Sequence, residues 1–147
     1  VNFNKKYSKF QYLLYLQVAM ENINYLATEK TPEINFDFEN GVFLVRGISI
    51  PENTVDFYHG LIFALREYAK TPQPDSILKI GLEYFNTSTS VIILKLLNAL
   101  ELAENSKVKV IWYYEEDDIE MEEVGLDFKE MTSVPFNLHP VEDLYAL

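Results

Sequence analysis

The sequence predicts a single α/β domain built on a mixed, mostly parallel sheet that opens with a β-hairpin and carries about three helices. Three observations predict it. Residues 34–39 alternate apolar and polar side chains and run into Asn40-Gly41, the signature of a tight hairpin. Beyond the hairpin, stretches of helical period and stretches of strand period follow one another in turn. Of the 147 residues, 48% are hydrophobic and 14% aromatic, enough to fill one core.

In the hairpin, Ile34, Phe36 and Phe38 form the apolar side of the first strand. Asn40-Gly41 supplies the positive-φ pair of a two-residue turn, and Val42 to Val45 returns as a continuous apolar run, which predicts burial on both faces. Gly47 is expected to end that strand. Ser49-Ile50-Pro51-Glu52-Asn53 reads as a stop followed by a helix cap. From Thr54, the apolar positions Val55, Phe57, Tyr58, Leu61, Ile62, Leu65 and Tyr68 recur mostly at steps of three and four, a helix. Thr71-Pro72-Gln73-Pro74 cannot extend it and forms a linker. Residues 77–85 are predicted as a strand with Ile80, Leu82 and Tyr84 on one face. After Asn86, the period returns to helical, with Val91, Leu94, Leu97 and Leu100 in line, until Asn105-Ser106. Val108, Val110 and Trp112 define the next strand, an acidic helix spans about 117–131, and Phe136 to Leu138 forms a last short strand. Strands linked by helical crossovers pair in parallel with right-handed connections, while the hairpin adds antiparallel pairing on one side.

Composition excludes several kinds of function. With no cysteine, there is no disulfide, thiolate metal site or cysteine nucleophile, which suits a reducing cytoplasm. The formal net charge is −11, and every acid lies beyond Met20, so the body is more acidic than the whole. Such a domain repels phosphate backbones and anionic membranes, so neither nucleic acid nor membrane insertion is expected. Residues 1–19 hold Lys5, Lys6 and Lys9 and a short apolar run too brief to span a bilayer. No small-x-small cleavage site follows, and the segment reads as an N-terminal extension or a start assigned too early. The five glycines make no phosphate-cradling cluster, and His59 and His139 have no nucleophile-and-orienter pattern around them, so no catalytic residue is predicted.

The most informative stretch is Glu83-Tyr84-Phe85-Asn86-Thr87-Ser88-Thr89-Ser90, where a strand passes into a helix. Asn86, Thr87 or Ser88 can cap that helix, contributing on the order of 1 kcal/mol. One cap needs one such residue, and four consecutive hydroxyls exceed that need. A phosphate here would gain from unpaired backbone N–H groups and from the positive end of the helix dipole. It would also add roughly −1.5 to −2 charge to the surrounding surface. Local pattern leaves cap and phospho-acceptor both open.

From Met20 onward the chain resembles the SiaC family of bacterial regulatory phosphoproteins, related in fold to STAS domains and anti-sigma-factor antagonists. The resemblance is carried by Thr28-Glu29-Lys30-Thr31-Pro32-Glu33, Ser49-Ile50-Pro51-Glu52-Asn53, Leu82-Glu83-Tyr84-Phe85-Asn86-Thr87-Ser88 with Ser90, Trp112-Tyr113-Tyr114-Glu115-Glu116-Asp117-Asp118, and Pro135-Phe136. It implies a STAS-like regulatory domain over 20–147, with Thr87 as phospho-acceptor and no enzymatic activity of its own. It also implies a serine/threonine kinase of histidine-kinase-like architecture that adds the phosphate and a PP2C-type phosphatase that removes it. In well-known members the unphosphorylated form activates a diguanylate cyclase, linking the protein to cyclic di-GMP and biofilm control. Where the family pattern places two serines after the threonine, this chain reads Ser88-Thr89-Ser90, so Ser88 and Thr89 stand as alternative acceptors. The Asp-Ser-Gly pattern of anti-sigma-factor antagonists is absent.

Partner contacts are expected around this switch. The resemblance puts Pro51, Glu52 and Asn53 on the same face as Thr87, with Asn86, Ser88 and Ser90 beside it. Trp112 fits a core position, whereas whichever of Tyr113 and Tyr114 faces outward is a candidate anchor. From Glu115 to Glu123, seven of nine residues are carboxylates, without the alternation or central glycine of a calcium loop. They suit a solvated helix start or a surface for a basic partner, and no metal or cofactor is expected. A constitutive interaction module, with the Thr87 region acting only as a cap, is the competing function. A small enzyme with Thr87 or Ser88 as nucleophile is a third.

Overall fold

A computed structural model describes residues 8–11 and 20–147. Residues 1–7 and 12–19 fall outside that description, and with them the expectation drawn for the first nineteen residues. Six strands form one sheet in the order of the sequence: β1 (Ile23–Tyr25), β2 (Glu33–Asp37), β3 (Val42–Ser49), β4 (Asp75–Phe85), β5 (Lys107–Glu115) and β6 (Phe136–Val141). The first two pairings are antiparallel and the next three parallel. The mixed sheet therefore follows the predicted division. Helices α1 (Thr54–Tyr68), α2 (Thr87–Glu101) and α3 (Ile119–Met131) make the crossovers. Each crossover advances one strand in the same direction, so a common right hand stacks all three on one face of the sheet.

The core lies between that face and the helices. Phe36, Phe43, Val45, Leu78, Ile80, Leu82, Val110 and Trp112 from the strands meet Tyr58, Leu61, Leu65, Ile93, Leu96, Leu97 and Leu100 from the helices. Phe36, Phe38, Phe43 and Tyr68 make an aromatic cluster at the hairpin end, with Phe43 and Tyr68 ring centroids 4.9 Å apart. The opposite face is partly covered by a 3-10 turn at Leu144–Ala146, whose Leu144 is buried over Gly81.

Several local expectations change. Strand β1 has only three residues and was not anticipated, since so short a segment shows no period. The hairpin closes through a four-residue connection at 38–41, because Asp37 pairs with Val42. The Asp37 carboxylate accepts from the Asn40 backbone at 3.1 Å and side chain at 2.7 Å, and only Gly41 takes positive φ, +67°. The longer loop lets Phe38 turn into the core. Val42 and Leu44 are half-buried while Phe43 and Val45 are buried, so the returning strand alternates instead of burying both faces.

Gly47 does not end β3. It sits at φ +117° at a register break where Gly47 pairs with Leu82 but Ile48 pairs with Tyr84. Glu83 is thus an extra residue in β4, and the side-chain alternation inverts across it. Tyr84, expected in line with Ile80 and Leu82, is instead 59% exposed, while Phe85 turns inward towards Trp112 and Phe128. The bulge thereby sets the strand end from which Thr87 departs.

Candidate functional site

Because β3 to β6 are parallel, the loops after β3, β4 and β5 emerge at one end of the sheet, and the three helices all begin there. This carboxyl edge is where open α/β sheets commonly place their sites. Each helix start is capped by a short side chain: Asn53 accepts from the Asp56 N–H, Asn86 from the Thr89 N–H and Asp118 from the Met121 N–H. Three positive dipole ends therefore face one rim of an otherwise acidic protein. The loop 28–31 closes against the same rim, with Ile50 N donating to Lys30 O at 2.8 Å and Lys30 Nζ lying 3.4 Å from the Glu52 carboxylate.

The four hydroxyls opening α2 have different surroundings. Thr89 is 1% exposed, and its Oγ1 lies 2.9 Å from Ser49 Oγ, 3.1 Å from Ser49 O and 2.9 Å from Asn86 Oδ1. Ser49 Oγ also meets Tyr58 OH at 2.7 Å, which completes a buried chain joining β3, α1 and α2. Ser88 is exposed but engaged, donating to Asn86 Oδ1 at 2.8 Å and lying 2.7 Å from Thr54 Oγ1. Ser90 is half-buried, its N–H directed at Asn86 O. Thr87 is exposed, and among the described residues its hydroxyl has no hydrogen-bond partner. Asn86 supplies the cap, so the start of α2 does not depend on Thr87.

Other expected contact residues are more scattered. Pro51 is buried, and Glu52 is exposed at the rim. Tyr113 and Tyr114 point to opposite faces of β5. Tyr113 is half-buried on the helix-free face against His139, at 5.4 Å between centroids, and Tyr114 is buried. Tyr114 is therefore no surface anchor, since strand alternation next to buried Trp112 makes it the inward residue of the pair. Glu115 is half-buried at the end of β5, Glu116 and Asp117 are exposed, and Asp118 is spent on its cap. Tyr84, Val55 and Ile119, at 59%, 63% and 67% exposure, are the apolar side chains standing out near the three helix starts. Val55 and Tyr84 fitted apolar stripes in the sequence, and no local signal marks them as outward. Ser49, Thr54 and Tyr58 were also missed, because their hydroxyl contacts reach across 9 to 40 residues. Among the described residues, no group of three or more His, Cys, Asp or Glu could hold a metal ion, and no helix is long and apolar enough to cross a membrane.

Burial pushes the Tyr58 phenol up to about 12, an effect partly offset by its hydrogen bond to Ser49. The folded state thus favours the neutral phenol, while an unfolded tyrosine ionises near pH 10. The resulting stabilisation is complete below pH 10 and is lost as pH rises to about 12, on the order of 2–3 kcal/mol. Denaturant midpoints measured from pH 9 to 12 should fall steeply for the native chain and more shallowly for Tyr58→Phe. Parallel curves would show that Tyr58 is not the group responsible.

The chain is a mixed α/β domain whose helix starts share one rim, with an exposed threonine on that rim beside a buried and an engaged hydroxyl. The chain belongs to the SiaC family of regulatory phosphoproteins, whose model matches residues 25–141. An uncharacterized protein of Pseudomonas aeruginosa (strain UCBPP-PA14) is 28% identical over 119 residues, 80% of this chain and 94% of its own length. The crystal structure of apo-SiaC from Pseudomonas aeruginosa is similar at 28% identity and a TM-score of 0.73, covering 82% of this chain and 99% of that one. The structure of the diguanylate cyclase SiaD in complex with its activator SiaC, from the same species, matches at 27% identity and a TM-score of 0.73, over 80% of this chain and 99% of that one.

Proposed function

We propose that this protein is a non-enzymatic signalling switch phosphorylated reversibly at Thr87. A serine/threonine kinase of histidine-kinase-like architecture adds the phosphate, and a PP2C-type phosphatase removes it. The unphosphorylated form binds and activates an effector, a diguanylate cyclase in the manner of the SiaD–SiaC pair. The compartment proposed is the cytoplasm, which holds the nucleoside triphosphates that kinase and cyclase consume. The observation that carries the reading is the contrast at the start of α2: Thr87 is exposed and its hydroxyl has no hydrogen-bond partner among the described residues, while Thr89 is buried and Ser88 is engaged on both sides.

The direction of the switch follows from charge. A partner that docks on the rim meets Glu52, Glu115, Glu116 and Asp117 and needs a basic surface with apolar sockets for Tyr84, Val55 and Ile119. A phosphate at Thr87 puts a solvated dianion in the middle of that contact, where its desolvation opposes docking. Thr87→Ala should abolish kinase-dependent labelling, seen as loss of a mass increase of about 80 Da, one phosphoryl group. Full-stoichiometry labelling of the variant would assign the acceptor elsewhere.

A further inference from the structure

Ser88 is exposed and carries the less hindered, primary hydroxyl, so the choice of its neighbour Thr87 as acceptor requires a cause. The hydrogen-bond polarity around it supplies one. The backbone N–H of Thr89 points at the Asn86 side-chain atom 3.0 Å away, which identifies that atom as the carbonyl oxygen Oδ1. An oxygen of this kind only accepts, so the Ser88 hydroxyl, 2.8 Å from it, must donate its one hydrogen there. The 2.7 Å contact between Ser88 and Thr54 then has a fixed direction: Thr54 Oγ1 donates and Ser88 Oγ accepts. The proton of Ser88 is held by an amide oxygen that cannot act as a base, and a lone pair is occupied by Thr54.

We propose that Thr54, from the first turn of α1, is a specificity-determining residue that silences Ser88 and confines phosphorylation to Thr87. The inference rests on the assignment of Thr87 as acceptor. In the transfer, the acceptor oxygen forms a bond to the γ-phosphorus of ATP, the bond from that phosphorus to the β–γ bridging oxygen breaks, and ADP leaves. The hydroxyl proton passes to a base on the kinase. Thr87 can present a free lone pair and an uncommitted proton to this reaction. On Ser88 the hydrogen bond from Thr54 occupies one of the two lone pairs, draws electron density from the oxygen and narrows the approach to phosphorus, so removing that donor should raise its reactivity by about fivefold, the factor one ordinary hydrogen bond represents. Thr89 needs no such control because it is buried.

The test maps phosphosites by peptide mass spectrometry after incubation with ATP and the kinase that labels the native chain. Native protein should be labelled at Thr87, and Thr87→Ala should show only background at Ser88. Combining Thr87→Ala with Thr54→Val should raise Ser88 labelling about fivefold over Thr87→Ala alone, and Thr54→Ala in place of Thr54→Val should do the same. Combining it with Thr54→Ser, which keeps the hydroxyl, should leave Ser88 at background. Thermal melts of each variant show that the folds compared are intact. Equal Ser88 labelling with and without the Thr54 hydroxyl would remove Thr54 from this role and leave Thr87 as acceptor. Labelling of the native chain at Ser88 instead of Thr87 would overturn the assignment of Thr87 itself, and with it the silencing.

Discussion

Thr87→Glu is expected to weaken binding to the proposed cyclase effector by about thirtyfold or more without damage to the fold. Both halves of that expectation come from the surroundings of Thr87. Its side chain is exposed, and its hydroxyl has no hydrogen-bond partner among the described residues to give up on replacement. A carboxylate in the first turn of a helix is itself favourable by about 0.3–1 kcal/mol. The fold should therefore hold or gain slightly. At an interface the same carboxylate is desolvated without a partner, and an unpaired charge in such a place costs about 2–5 kcal/mol. Two of those kilocalories are about a factor of thirty in affinity. Titration calorimetry of the native and glutamate chains against a diguanylate cyclase measures the difference, with circular dichroism as the control. Unchanged affinity in a folded variant would mean that the Thr87 region is only a helix start and the contact surface is constitutive.

The largest expected effect on stability lies away from this rim, at Gly125 on α3. A Cβ placed there would stand 2.5 Å from Trp112 Cδ1 and 2.6 Å from Nε1. The indole cannot retreat: it is fully buried, donates to Met121 O at 3.0 Å, and is packed by Phe85, Phe128 and Phe136. Alanine at 125 recovers about 1 kcal/mol of helix propensity against its clash, but valine adds two methyls and a poorer propensity. Gly125→Val should cost about 3 kcal/mol, near the upper end for overpacking, and lower Tm by about 6–12 °C. Trp112 is the single tryptophan of the chain, so its fluorescence reports the loosened contact directly. A melting temperature within about 2 °C of the native value would contradict a helix seated this closely on the indole.

Much of this architecture is written locally. The periods of 34–38 and 54–68 belong to single segments, and β2 and α1 form close to where those periods place them. Pro72 and Pro74 interrupt the chain before β4 for a reason internal to proline. Asn53, Asn86 and Asp118 cap their helices through contacts only three residues long, and such contacts are legible in sequence. Apart from β1, too short to show a period, the departures concern pairing between segments. The two-residue turn failed because Phe38 finds its place against Phe36, Phe43 and Tyr68, and Tyr68 comes from a different element. Tyr84 left its predicted face because β4 holds one residue more than β3 at Gly47, a mismatch of register that neither strand shows alone. Tyr114 turned inward for a similar reason, since the face of β5 that α3 covers was not specified by Tyr113-Tyr114 itself.

By itself, the sequence determined the class of fold, the order of its elements and the hydroxyl run at the head of α2, because period, caps and breakers act over a few residues. Family membership was also legible, through short motifs spread along the chain in order. The tertiary structure decided how the four hydroxyls differ. Ser49 and Tyr58 reach Thr89, and Thr54 reaches Ser88, only after β3, α1 and α2 have packed together. Burial and hydrogen bonding between distant segments thus sort residues that are chemically alike in the sequence, and Thr87 is left exposed at the head of α2 with no hydrogen-bond partner for its hydroxyl among the described residues.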